Sequence, residues 1–247
     1  MNKRVVSLVA VPLLALSQGA LAQTPAPAPA PESTLAFNVG AVTEYRYRGI
    51  SQTRLKPALQ GGIDYSHASG LYVGFWGSTI KWIKDAGGDA NAELDFYGGY
   101  KTTLGDVGLD VGVLRYQYPS HKLVVSPNTT ELYLAGTVGP VTLKYSNSTS
   151  NLFGFANSKR SGYLDLTANF DMGNGWTLTP HVGHQKVKNN GPASYTDYSL
   201  TVAKDLGSGL SASAMLVGTD ADKAVYVAPS GKFLGKSALV LGIKYTF

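Results

Sequence analysis

The stretch Ala238-Leu239-Val240-Leu241-Gly242-Ile243-Lys244-Tyr245-Thr246-Phe247 alternates with a period of two: Leu239, Leu241, Ile243, Tyr245 and Phe247 share one parity, Ala238, Val240, Gly242, Lys244 and Thr246 the other. Successive side chains of a strand point to opposite faces, so this is a β-strand with one face much oilier than the other. In a soluble sandwich the oily face packs on a second sheet, whereas in a membrane barrel it faces lipid. The rest of the chain decides between them.

The same period recurs upstream. From Leu35 to Tyr47 the outward set reads Leu35, Phe37, Val39, Ala41, Thr43, Tyr45 and Tyr47, with Asn38, Glu44 and Arg46 on the other face. Leu59, Ile63 and Tyr65 oppose Gln60, Asp64 and Ser66; Ala92, Leu94, Phe96 and Tyr100 oppose Asn91, Glu93, Asp95 and Tyr97. Leu164, Leu166, Ala168 and Phe170 oppose Asp165, Thr167 and Asn169, and Tyr198, Leu200 and Val202 oppose Asp197, Ser199 and Thr201. Most of these segments approach the roughly 9 to 11 residues that a tilted strand needs to cross a bilayer. In Gly70 to Ile83 both parities are apolar or aromatic and the faces stay ambiguous. After Val107 the outward parity runs Val107, Leu109, Val111 and Val113 and then meets Arg115 and Gln117. A bulge is therefore expected near Val113, turning Leu114, Tyr116 and Tyr118 outward and Arg115 inward; snorkelling of Arg115 is the alternative.

Short, turn-like links occur at His67 to Gly70, Thr103 to Asp106, Gly139-Pro140, Met172 to Gly175 and Leu206 to Gly209. They alternate with longer polar links at Gly49 to Pro57, Lys81 to Asp89, Pro119 to Asn128, Asn147 to Arg160, Val187 to Ala193 and Thr219 to Lys236. Strict alternation of tight turns and long loops is expected of an up-and-down barrel and has no cause in a Greek-key sandwich. The predicted fold is therefore all-β, a transmembrane antiparallel up-and-down β-barrel of about twelve strands spanning 34–247, with both ends on one side of the membrane.

Ahead of it, Asn2, Lys3 and Arg4, the apolar run Val5 to Leu16 and Ala20-Leu21-Ala22 read as a signal peptide over 1–22. Export to a bacterial outer membrane follows. The alternating prolines Pro25, Pro27, Pro29 and Pro31 make 23–33 an extended periplasmic linker. The absence of cysteine excludes a lipidated cysteine, a thiol nucleophile, disulfides and thiolate metal sites. Without Lys3 and Arg4 the formal charge of +5 falls to about +3, too little to argue for nucleic acid as a partner.

Glu44-Tyr45-Arg46-Tyr47-Arg48-Gly49-Ile50-Ser51-Gln52, followed by Pro57-Ala58-Leu59-Gln60-Gly61-Gly62 and Asp64-Tyr65, resembles the opening segments of the TorF family of porins. Glu44 stands where that family more often has Asp, and Tyr47 where it has Phe. The resemblance continues through Tyr97-Gly98-Gly99-Tyr100, Val107 to Pro119 and Gly139 to Tyr145, and implies an outer-membrane pore without naming a solute. The ending on Phe247 resembles the carboxy-terminal signal read by the barrel-assembly machinery.

For a pore, the working groups point inward. The candidates lining it are Glu44, Arg46, Arg48, Asp64, Glu93, Asp95, Glu131, Lys144, Asp165 and Asp197. Arg46 and Arg48 on the first strand facing Glu93, Asp95, Glu131, Asp165 and Asp197 across the lumen would set up a transverse field that orients small hydrophilic solutes; the same charges could instead pair and fill the lumen. The long links are mostly basic, among them Arg54, Lys56, Lys81, Lys84, Lys122, Lys159, Arg160, Lys186 and Lys188. These suit either anionic solutes at the mouth or the phosphates of lipopolysaccharide. Tyr45, Tyr47, Trp82, Tyr116, Tyr118, Trp176 and Tyr245 fit an interfacial aromatic girdle, with a sugar-binding ladder as the other reading.

An outer-membrane hydrolase would need a nucleophile, a base and an orienting group within reach of one another. His181 and His184 are the better-placed imidazoles, but three residues apart in a strand they point to opposite faces. No G-x-S-x-G elbow or H-E-x-x-H pair occurs, and no cofactor is implied. A nonconducting structural or adhesive barrel is the remaining alternative to a porin.

Overall fold

The computed structural model describes residues 32–247. The expected signal peptide and all but the end of the expected linker lie outside the described residues. The barrel begins at Ser33 and runs through twelve antiparallel strands: β1 Ser33–Val42, β2 Ala58–His67, β3 Leu71–Thr79, β4 Ala92–Leu104, β5 Val107–Gln117, β6 Thr129–Val138, β7 Val141–Ser148, β8 Gly162–Ala168 with Phe170–Gly173, β9 Trp176–Lys186, β10 Tyr195–Gly207, β11 Leu210–Thr219 and β12 Ala238–Thr246. Each strand pairs with its neighbours in sequence, and β12 returns to β1 through registers such as Val39 with Tyr245 and Ala41 with Ile243. The sheet is thereby closed and keeps no free edge, which is the condition for strands to sit in hydrocarbon.

The two parities separate cleanly. Leu35, Phe37, Val39, Val111, Leu134, Leu143, Leu164, Leu200, Leu241 and Ile243 are exposed on the outer wall. The ambiguous segment resolves the same way, with Leu71 and Val73 exposed and Trp76 packed inside. Inside, wide rings need flat ground. The Tyr97 ring lies over Gly74 of the adjoining strand, and Tyr163 over Gly183, so closely that a Cβ on either glycine would sit 2.4 Å from the phenol Cζ. Glycine within these strands is thus what lets inward tyrosines lie against the wall.

Tight turns join the strands at one end: for example Gly105 and Ser208-Gly209 take positive φ. Six long links, 43–57, 80–91, 118–128, 149–161, 187–194 and 220–237, crowd the other. The loop 80–91 carries a short helix, α1 Trp82–Asp85.

Two expectations are corrected here. β1 stops at Val42, so Glu44, Arg46 and Arg48 are not on a wall strand, and Tyr45 and Tyr47 do not face outward. No bulge interrupts β5, whose register stays regular against both neighbours from Val107 to Gln117. Arg115 remains on the outer parity near the long-loop end, hydrogen-bonded to Thr130 and Gln117, while Tyr116 turns inward. The regular register wins because it lets the Tyr116 hydroxyl reach polar partners inside.

Leu241 lies near the middle of β12 on the outer wall. In lipid vesicles, Leu241→Arg should lower the unfolding free energy by about 2–4 kcal/mol, because that wall faces hydrocarbon. Denaturant titration of the folded barrel in bilayers measures it, and an unchanged midpoint would contradict a lipid-facing outer wall.

Candidate functional site

Beyond Val42 the alternation of Thr43 to Gln52 would allow β1 to continue, yet the chain reverses instead. Arg48 and Gly49 both have positive φ, 45° and 77°, and Arg46–Tyr47 pairs with Ile50–Ser51 as a two-residue hairpin. Two successive positive φ values are the geometry of tight hairpin turns. The hairpin folds inward across the long-loop end. Gly49 sits against the wall at β10, where an added Cβ would fall 2.7 Å from the Cβ of Asp197. A side chain at this position would therefore meet both strain and a clash.

The tip is fastened by charge. Arg48 donates from both terminal nitrogens to Glu131 of β6, at 2.7 and 3.0 Å, and from Nη1 to the side-chain oxygen of Gln185 of β9 at 2.6 Å. Its guanidinium also lies 4.0 Å from the ring centre of Tyr163 and 4.8 Å from that of Tyr47. A bidentate, ring-flanked arginine is held in one geometry, which a lysine could not reproduce. Arg46 pairs with Glu44 of the same loop, Nε to Oε1 at 2.7 Å, and donates to the Gly49 and Leu234 carbonyl oxygens.

Neighbouring loops brace it. The Ser51 amide donates to Leu234, and the Lys81 and Trp82 amides donate to Gln52. Beneath this, Tyr45, Ile80, Ile83, Tyr116 and Tyr118 form a buried apolar cluster with Trp76 and Phe153 packed on it. The hydroxyls of Tyr45 and Tyr118 both donate to Glu93, at 2.7 and 2.9 Å. Burial pushes both of these loop phenols up, so they stay protonated donors. Outside the mouth, the hydrogen bond and charge of Lys122 hold the Asp89 carboxyl below its usual range.

The remaining candidates line the wall. Asp95 is buried among Glu93, Tyr116 and Trp76. Asp64 accepts from the Tyr97 hydroxyl at 2.5 Å, and Lys144 stands 4.0 Å from the Tyr133 ring centre. Asp165 and Asp197 flank His181, at 3.0 Å from Nε2 and 3.6 Å from Nδ1, while His184 bonds Thr196 on the opposite face. The ten residues thus fall into a stitched mouth of Glu44, Arg46, Arg48, Glu93 and Glu131, with Asp197 against its tip at Gly49, and a wall set of Asp64, Asp95, Lys144 and Asp165.

Tyr45, Tyr47, Tyr116 and Tyr118 leave the girdle they were assigned to, because their hydroxyls find Glu93, Glu131 and one another inside; Trp82 packs edge-on against Tyr118. Trp176 and Tyr245 stay exposed on the outer wall. Gln185, Tyr163 and His181 belong to the site and were missed. Their inward parity on β8 and β9 was the available signal.

These features define a porin-type barrel whose long-loop mouth is occupied by its own first loop. The chain belongs to the Gcw_chp family of bacterial proteins of unknown function, whose model matches residues 26–247. No curated protein matches the chain in sequence. Among solved structures it is similar to a KdgM porin in complex with disordered oligogalacturonate, at TM-score 0.55 and 10% identity over 87% of this chain and 99% of that one. It is likewise similar to the NanC porin, at TM-score 0.54 and 9% identity over 86% of this chain and 99% of that one. At such identities the likeness is one of fold.

Removing Glu131 leaves Arg48 buried without its carboxylate. Glu131→Ala should cost about 3–5 kcal/mol, and the Arg48→Ala, Glu131→Ala double variant less than the two singles together. A double-mutant cycle on unfolding midpoints reads the difference; additive losses would show that the pair is not coupled.

Proposed function

We propose that the chain is an outer-membrane porin through which small hydrophilic solutes diffuse passively, with the loop 43–57 as the constriction at its outer mouth. The observation that carries this is the partition of the closed wall: apolar side chains outside, and titratable groups such as Asp64, Lys144, Asp165 and His181 inside. The tight turns then face the periplasm and the long loops the exterior, with both strand ends periplasmic. The partial resemblance to TorF porins points the same way. On this reading Lys159, Arg160, Lys186 and Lys188, which have no carboxylate within ion-pair distance among the described residues, contact lipopolysaccharide phosphates around the rim. The final strand, ending on Phe247, is what the assembly machinery reads.

A second reading has support from the same loop. Arg48, Glu131 and the tyrosines of the mouth are packed and mutually satisfied, as in a barrel that is closed and serves a structural or adhesive role. Planar-bilayer recording separates the two. The porin reading expects discrete steps from the purified protein and a severalfold larger unitary conductance from the Arg46→Ala, Arg48→Ala variant. It also expects liposomes to swell in sugars and amino acids. Correctly folded wild type and variant that are both silent would refute it.

A further inference from the structure

The mouth contains one carboxylate that nothing satisfies. Glu44 has Arg46, Glu131 has Arg48, and Glu93 accepts from two tyrosine hydroxyls. Among the described residues Asp95 has no hydrogen-bond partner for its buried Oδ1 and forms no ion pair, and it is 8% exposed. It faces inward below the plug, directly between Trp76 of β3 and Tyr116 of β5 in the strand register. Glu93 lies two residues away on the same face of β4, and Tyr116 beside it donates to Glu131. The ammonium of Lys144 lies 4.0 Å from the Tyr133 ring centre. On this side of the mouth the carboxylates Glu44, Glu93, Asp95 and Glu131 therefore outnumber the guanidiniums of Arg46 and Arg48.

A buried carboxylate with no partner is costly by several kcal/mol unless a proton or a cation joins it. Both of its register neighbours, Trp76 and Tyr116, are aromatic, the class of side chain that stabilises an ammonium group, and indole does so best. A divalent metal does not fit, since among the described residues no three acidic or imidazole groups converge to hold one.

We propose that Asp95, flanked by Trp76 and Tyr116, is a binding site for a small monovalent cation, either the ammonium group of a permeating solute or an alkali ion. This deepens the porin reading, because it assigns the constriction a preference for cationic solutes. The site lies against the buried cluster beneath the loop 43–57, which the porin reading takes as the constriction.

Trp76 supplies the readout. The full protein in detergent is titrated with methylammonium chloride, and separately with potassium chloride, at constant ionic strength set with N-methyl-D-glucamine chloride. Tryptophan fluorescence should change saturably with at least one of the two. A response to methylammonium alone assigns the site to solute ammonium groups, and a response to potassium alone or to both assigns it to cations generally. Asp95→Asn should weaken the response at least tenfold and Asp95→Glu should restore most of it, with circular dichroism confirming that both variants fold. No saturable change, or an equal response in Asp95→Asn, overturns the proposal. Bilayer recording keeps the two readings apart: a silent barrel that binds cations loses the pore and keeps the site, and a conducting barrel without the response does the reverse.

Discussion

In hydrocarbon every backbone N–H and C=O must find its partner within the protein, and for strands the only complete solution is a closed cylinder. Here the closure is made between β1 and β12, where the Phe37 and Phe247 backbones exchange hydrogen bonds of 2.8 and 2.9 Å. Once the cylinder is closed, parity alone sorts side chains between lipid and lumen. Every charge on the inward parity then has to be settled by whatever else is inside, without bulk water on all sides.

The mouth shows how that is done. Arg48 is bound by Glu131, Gln185 and two aromatic rings, and Glu93 by two phenols from separate loops. Such a network stabilises one arrangement of loop and wall, because removing any one member strands another as an unpaired buried group. The apolar cluster around Ile80, Ile83 and Tyr116 adds non-directional packing beneath it. The plug is thus built like the core of a soluble protein, with apolar packing beneath a hydrogen-bonded network.

Much of the wall was legible because lipid imposes a simple rule at every second residue. Leu239 to Phe247, Ala92 to Tyr100 and Leu164 to Phe170 all keep the faces that their alternation predicts, and the tight turns stand where Gly139-Pro140 and Ser208-Gly209 mark them. The failures lie where tertiary contacts overrode the same rule. Thr43 to Arg48 alternates as well as any strand, but its two arginines and two tyrosines have partners only inside, and the turn at Arg48-Gly49 takes them there. At Val113 the expected bulge assumed that Tyr116 seeks lipid; a hydroxyl with Tyr47 and Glu131 in reach does not. The inward carboxylates were readable as a set, whereas their partners, drawn from a distant loop, were not.

The fastening of Arg48 also constrains the order of events during folding. Its partners Glu131 and Gln185 lie 83 and 137 positions further along the chain. Contacts of such long range form late, after the loops between them have closed. The first loop can therefore take its observed position only once β6 and β9 stand in the wall, because the side chains that hold its tip belong to those strands.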